Sequence, residues 1–216
     1  MTIIFCRVFV NMMNVAQIIL SLLFGFLPGS IPFGYIAGLF NKVDIRKKGS
    51  GNIGFSNVLR TLGWRWALPV FILDISKGVI PVIFARQLEL IPALVGFGAI
   101  TGHIFTPWLK FQGGKGVATL IGVSALLCPR SLVVALVAFL IVLFLFGFIS
   151  LSSISLALTL PIFTRFLYPD NRLIFLFTFF TGLIVILRHI PNIRRLTKRA
   201  EPKFELWRKI FQRQRV

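Results

Sequence analysis

The chain has 216 residues, 56% of them hydrophobic and only 14% charged, and carries a formal net charge of +18. A composition this apolar leaves too little polar surface for a soluble globular domain and predicts an integral membrane protein. The positive balance suits anionic headgroups or an anionic substrate, whereas nucleic acid is not expected as a partner, because the basic residues are not interleaved with exposed aromatics on a soluble module. The two cysteines, Cys6 and Cys128, form no CxxC pair and have no metal-ligand spacing. They read as small apolar fillers, and neither a metal nor a cofactor is expected.

Seven apolar stretches follow in chain order, at 15–40, 66–85, 90–109, 117–128, 131–149, 151–167 and 173–187. Each is judged against the roughly 20 residues a helix needs to cross a bilayer core. The first is too long for a secretory signal peptide and lacks a small-x-small cleavage site, so it is expected to stay. Its segment LPGSIPFG either breaks the helix near a site or lets helices pack closely. The second stretch holds Asp74 and Lys77 at i and i+3, expected to form a structural ion pair facing the bundle, since unpaired charge in hydrocarbon is costly. The fourth is short; its helix is expected to begin at or before Lys115, and otherwise must tilt or sit in a locally thinned bilayer. Only short connections separate the last four stretches. The expected fold is therefore an all-α polytopic membrane protein, a single domain over residues 1–216 built as a bundle of seven transmembrane helices, with a basic tail at 202–216.

Numbering the stretches in order, the odd-to-even loops carry Lys42, Arg46, Lys47, Lys48, Arg60, Arg65, Lys110 and Lys115, and the segment after the last stretch adds ten more basic residues from Arg188 to Arg215. The opposite side has Arg7, Arg86, Arg130, Arg165 and Arg172, so the balance is eighteen against five. This asymmetry predicts an N-terminus outside, a cytoplasmic C-terminus, and every Gly-rich loop on the cytoplasmic side.

Three segments on that side carry chemistry. GSGNIG at 49–54 formally matches the dinucleotide-binding fingerprint, with Asp74 about 20 residues later, but no strand precedes it and a membrane helix follows, so that reading fails on context. What remains is a run of Gly, Ser and Asn able to converge amides on an anion, flanked by Lys47, Lys48 and Arg60. A flexible turn whose lysines fix topology explains this loop equally well. A second loop, FQGGKGVAT at 111–119, sets GGKG before an apolar helix, where free amides, the positive helix end and Lys115 can face a phosphate. It is not a P-loop, because Leu109 stands where the first glycine belongs. The third, HIPNIRRLTKRAE at 189–201, repeats His189, Asn192 and Arg195 at helical spacing.

Taken together these motifs resemble the bacterial acyl-phosphate:glycerol-3-phosphate acyltransferases, seven-helix membrane enzymes of phospholipid synthesis. The resemblance runs from GSIPFGYIAG at 29–38 through Glu201. GSGNIGFSNVLR is similar to the family's G-S-G-N-x-G-A-T-N-x-x-R, with Phe55 and Ser56 replacing Ala and Thr. His103 and FQGGKGVAT resemble its second motif, with the proline displaced by one to Pro107. His189, Asn192, Ile193, Arg195, Leu196 and Glu201 match the third, with Arg199 where glycine is usual. DISKG at 74–78 is similar to the family's D-x-x-K-G.

The resemblance implies transfer of an acyl group from acyl phosphate to the primary hydroxyl of glycerol 3-phosphate, giving lysophosphatidic acid and phosphate in the bacterial cytoplasmic (inner) membrane, with the enzyme that supplies acyl phosphate as a candidate partner beside the surrounding lipids. It implies catalytic roles for Ser50, Lys115, His189 and Asn192, and substrate binding by Gly51, Asn52, Asn57, Arg60, His103, Gly113, Gly114, Arg195 and Glu201. Because acyl phosphate is a mixed anhydride with a good leaving group, the reaction needs alignment, charge neutralisation and a proton acceptor more than a protein nucleophile. His189 and the substrate's own phosphate stand as alternative proton acceptors. Two rival functions fare less well. A transporter would show inverted repeats and a polar through-path, and neither is visible. An acyl-CoA-type enzyme would need H-x-x-x-x-D, but Trp108 and Arg194 occupy the fifth positions after His103 and His189.

Overall fold

A computed structural model describes residues 2–204, and their side chains from Val15 onward. The side chains of Cys6 and Arg7, and the tail with Arg208, Lys209, Arg213 and Arg215, lie outside the described residues. All seven apolar stretches are helical, and no strand occurs among the described residues. The chain divides into two compact units, one ending at Leu127 and one starting at Cys128.

The first unit contains α1 (Thr2–Gly29), α2 (Phe33–Phe40), α3 (Phe55–Leu62), α4 (Trp64–Ala85), α5 (Pro92–Ile104) and α6 (Val117–Leu127). Small residues set its packing. Gly25 and Gly29 of α1 lie against the backbone of Val95 and Ala99 on α5, and Gly98 and Gly102 of α5 lie against Leu22 and Phe26 on α1. A side chain at any of these glycines would collide with the partner backbone, so the helices approach as small-residue interfaces in membranes do. Gly78 and Gly122 do the same for α4 and α6, meeting Thr119 and Ile75 respectively. The segment LPGSIPFG both breaks the helix and packs closely on its neighbours. The helix stops at Gly29 and resumes at Phe33, while Gly29 packs on Ala99 and Gly34 on the Ile53 carbonyl.

Two local expectations need correction. The chain after Gly54 does not run straight into a membrane helix: it first forms α3, a short amphipathic helix with Asn57, Val58 and Leu59 buried, which ends at Gly63 with φ +78. Nor does α6 reach back to Lys115. It starts at Val117, because Gly116 sits at φ +84, a left-handed conformation in which the helix cannot continue.

The second unit contains α7 (Pro129–Phe146), α8 (Ile149–Leu167), α9 (Arg172–Arg188) and α10 (Ile190–Thr197). Gly147, at φ +76, ends α7 and allows α8 to start two residues later. Within α8 and α9, hydroxyls of Ser152, Ser153, Thr164 and Thr181 donate to carbonyls one turn back. This satisfies them without any partner from the apolar surroundings.

Four helical stretches are long and apolar enough to cross a membrane, Val15–Phe40, Trp64–Ala85, Pro129–Phe146 and Ile149–Leu167, and a fifth is possible if α9 and α10, bent by 51°, act as one. At 13 and 11 residues, α5 and α6 are shorter than these. Large apolar side chains such as Leu140, Phe144 and Phe166 are exposed along the long helices, as expected of surfaces solvated by lipid.

Candidate active site

The first unit carries two of the three motif loops. Residues 45–50 are gathered around the side chain of Asn57, which is 1% exposed. Its Nδ2 donates to the carbonyls of Ile45 (3.0 Å) and Lys48 (3.1 Å), and its Oδ1 accepts from the Ser50 amide (2.8 Å). Gly51 N–H donates to Lys48 O, 3.0 Å, and Asn52 Oδ1 accepts from Gly54 N–H, 2.9 Å. The amides of Ser50, Gly51 and Gly54 are thus spent inside the loop, leaving the Ser50 side chain exposed beside the turn and Arg60 exposed on the last turn of α3. Gly49 and Gly51 are both left-handed, at φ +58 and +72, and a Cβ on Gly49 would strike Asn57 Oδ1. Arg46 is engaged locally: it forms a two-pronged pair with Asp44, 2.9 Å on each side, lies 4.6 Å over the Tyr35 ring, and holds the Asp44 carboxyl below its usual range. Phe55, a departure from the motif, opens α3 and packs on the rings of Trp64 and Phe71, at 5.9 and 5.1 Å.

The GGKG loop is strapped across the end of α5. Gly113 N–H donates to Ile104 O (3.0 Å) and Gly114 N–H to His103 O (3.1 Å). Both glycines are buried, and a Cβ on either would meet the backbone of His103 and Ile104 or the His103 ring. Thr106 Oγ1 donates to Ser30 O (2.6 Å) and Trp108 Nε1 to Ser30 Oγ (3.1 Å), tying the loop's start to the break between α1 and α2. Lys115 is half-buried, directly before the first turn of α6, whose leading amides have no acceptor within their own helix. Below the loop, Lys77 Nζ lies 2.7 Å from Asp74 Oδ1 and donates to Ile31 O at 2.8 Å. The expected Asp74–Lys77 ion pair is present. His103 Nδ1 lies 3.5 Å from the same carboxylate oxygen, and Thr119 Oγ1 donates to Asp74 O at 3.0 Å.

The second unit carries the third motif. His189 is buried at the joint between α9 and α10, its Nδ1 2.8 Å from Val185 O. A carbonyl can only accept, so Nδ1 carries the proton in the neutral ring and the lone pair belongs to Nε2. One turn on, Asn192 Nδ2 donates to Glu201 Oε1 and Arg195 Nε to Glu201 Oε2, each at 2.7 Å. Burial pushes the Glu201 carboxyl up, but the hydrogen bonds from Asn192 and Arg195, the nearby Ser150 hydroxyl and the Arg195 charge outweigh it and hold the group below its ordinary range. Arg199, where the motif usually has glycine, sits at φ +53 just past α10. That is the left-handed position that closes a helix C-terminus, and Ala200 N–H then donates to Arg195 O at 2.7 Å. Among the described residues, no three His, Cys, Asp or Glu side chains gather into a group able to hold a metal ion.

Residues 19–199 match the profile of the family described as glycerol-3-phosphate acyltransferase. The chain belongs to this family. A glycerol-3-phosphate acyltransferase of Leptospira borgpetersenii serovar Hardjo-bovis (strain JB197) is 42% identical over 189 residues, covering 82% of this chain and 86% of that protein. Another, from Prochlorococcus marinus (strain MIT 9312), is 43% identical over 191 residues, covering 86% and 96%. The crystal structure of an integral membrane glycerol 3-phosphate acyltransferase in its glycerol 3-phosphate form superposes with a TM-score of 0.82 at 31% identity, over 90% of this chain and 98% of that one. The lysophosphatidic acid form of the same enzyme gives 0.78 at 31% identity, over 87% and 95%. In this acyltransferase chain all three motifs except Glu201 fall inside the matched segment, and Glu201 lies just past it.

Three partners were not legible from the motifs. Ser150 beside Glu201, Ser30 beneath Thr106 and Trp108, and the Asp74–His103 contact all join residues far apart in sequence. DISKG signals a buried charge pair by its spacing, but nothing local to it points to His103.

Proposed function

We propose that this chain transfers an acyl group from acyl phosphate to the primary hydroxyl of glycerol 3-phosphate, releasing lysophosphatidic acid and phosphate, in the cytoplasmic membrane of a bacterium. The observation that carries the reading is family membership over residues 19–199, a span that contains all three motifs except Glu201. The acceptor and product follow the relatives, whose solved forms hold glycerol 3-phosphate and lysophosphatidic acid. The choice of acyl phosphate as donor follows the resemblance of the three motifs to the acyl-phosphate:glycerol-3-phosphate acyltransferases. Neither His is followed by the carboxylate of an H-x-x-x-x-D site, whereas Arg60 and Lys115 supply positive charge suited to phosphate.

In this reaction the acceptor hydroxyl oxygen attacks the acyl carbonyl carbon. An ester C–O bond forms, the C–O bond of the mixed anhydride breaks, and phosphate leaves with the electron pair. Lys115 and Arg60 neutralise phosphate charge, and the exposed Ser50 hydroxyl at the first loop offers a hydrogen bond to a reacting oxygen. Asn57, spent on the backbone of its loop, holds Ser50 in place. The hydroxyl proton goes to His189 Nε2 or to a substrate phosphate, and the Nδ1 bond to Val185 O supports the first route by leaving the lone pair on Nε2. All seven apolar helices, the shorter α5 and α6 included, are read as spans with the N-terminus outside.

The deciding experiment gives purified protein glycerol 3-phosphate with acyl phosphate, acyl-CoA or acyl carrier protein as donor. Lysophosphatidic acid is expected with acyl phosphate. A folded protein that forms it only with another donor, or not at all, overturns the reading.

A further inference from the structure

We propose that Asp74 and Lys77 are positioning residues for the GGKG loop, acting through the His103 ring, so that a buried charge cluster inside the helices sets where Lys115 stands. The inference rests on the acyltransferase reading above and deepens it. Asp74, Lys77 and His103 are only 2%, 4% and 4% exposed. A buried ion pair is weak support for stability, because apolar replacements of similar volume are often as good or better. What such a pair does supply is a fixed geometry. Asp74 Oδ1 is held by Lys77 Nζ, 2.7 Å, which is itself anchored on Ile31 O. The same oxygen lies 3.5 Å from His103 Nδ1, and the opposite, Nε2 edge of the ring faces Gly114, the residue next to Lys115. A Cβ on Gly114 would overlap that edge directly. Thr119, in the first turn of α6 that follows the loop, is bonded to the Asp74 carbonyl. The chain from Gly114 through the first turn of α6 is therefore referenced at both ends to Asp74: through the imidazole at one and the backbone carbonyl at the other.

The test replaces the charges together, Asp74→Asn with Lys77→Met, so that no lone buried charge remains. A protein that melts within a few degrees of wild type should show a KM for glycerol 3-phosphate raised roughly ten- to a hundredfold, with kcat less affected, and faster amide exchange at Gly113–Gly116. A folded double variant with unchanged KM and unchanged exchange overturns the proposal. If that variant does not fold, a second cycle serves, with changes at the loop itself. Gly114→Ala should raise KM strongly in the wild type, yet add less than about threefold to His103→Ala, where the ring it strikes is gone. Independent, multiplying effects overturn the proposal. Should the wild type make no lysophosphatidic acid, the acyltransferase reading fails on its own. The exchange measurement, which needs no substrate, still decides whether the cluster orders the loop.

Discussion

At the scale of single residues, charge and proton roles separate cleanly in kinetics. If Lys115 neutralises phosphate before and during transfer, as proposed, Lys115→Ala should raise KM and lower kcat together, with partial rescue by Arg. His189→Ala should instead lower kcat roughly a hundredfold if Nε2 takes the proton, and abolish the pH dependence near the imidazole pKa. An unaltered pH profile in that variant assigns the proton to substrate phosphate. Glu201 gives a different pH signature. Its folded pKa lies below the ordinary value of 4.5, so the stability it contributes is complete above that value and is lost as pH falls through the lower, folded one. Thermal melts of wild type on acidification should show this loss, and Glu201→Gln should not. Arg199 is strained where glycine would not be, at φ +53. Arg199→Gly should therefore stabilise by on the order of 0.5 kcal/mol, the relief of the left-handed penalty offset in part by unfolded-state entropy. That position was legible in the sequence as a departure from the motif. Its backbone conformation was not, because it depends on how the chain after α10 turns back onto Arg195.

At the scale of elements, hydropathy found every long helix, since lipid selects for uninterrupted apolar runs whatever they pack against. It could not find α3, whose eight residues are amphipathic and whose end is fixed by one left-handed glycine, Gly63. The start of α6 was misplaced for a related reason. Counting apolar residues suggested that the helix must borrow GGKG to reach a spanning length, but Gly116 at φ +84 lies against Ile100 and Ile104 and turns the chain before the first helical residue. Lys115 consequently precedes the helix end and is not part of its first turn. Gly116→Ala tests this directly. Placing a Cβ at a left-handed position with close neighbours should cost about 1–3 kcal/mol, and KM should rise because the lysine loses its turn. Unchanged melting would mean that the loop relaxes freely at that glycine.

At the scale of the whole molecule, the sequence distributes its basic residues eighteen to five between alternate connections, and that asymmetry sets orientation more strongly than any single loop. The first unit offers two connections on which to read it. Residues 41–54, before α3, carry Lys42, Arg46, Lys47 and Lys48, all but one of the basic residues between α2 and α4 that precede Arg65. The turn between α4 and α5 holds only Arg86, with Gln87 exposed. After the short α3, one long helix, α4, leads to the second region, and at 22 residues it is long enough to cross the core. The two connections must then lie on opposite sides if α4 spans. Cys6 and Cys128 are replaced by serine, and a single cysteine is introduced at Gln87 or at Lys47. In intact cells an impermeant maleimide should label Gln87→Cys directly, and Lys47→Cys only after the membrane is opened. The reverse pattern would place the Gly-rich loops outside, away from any cytoplasmic phosphate donor, and labelling of both in intact cells would mean that α4 does not span at all.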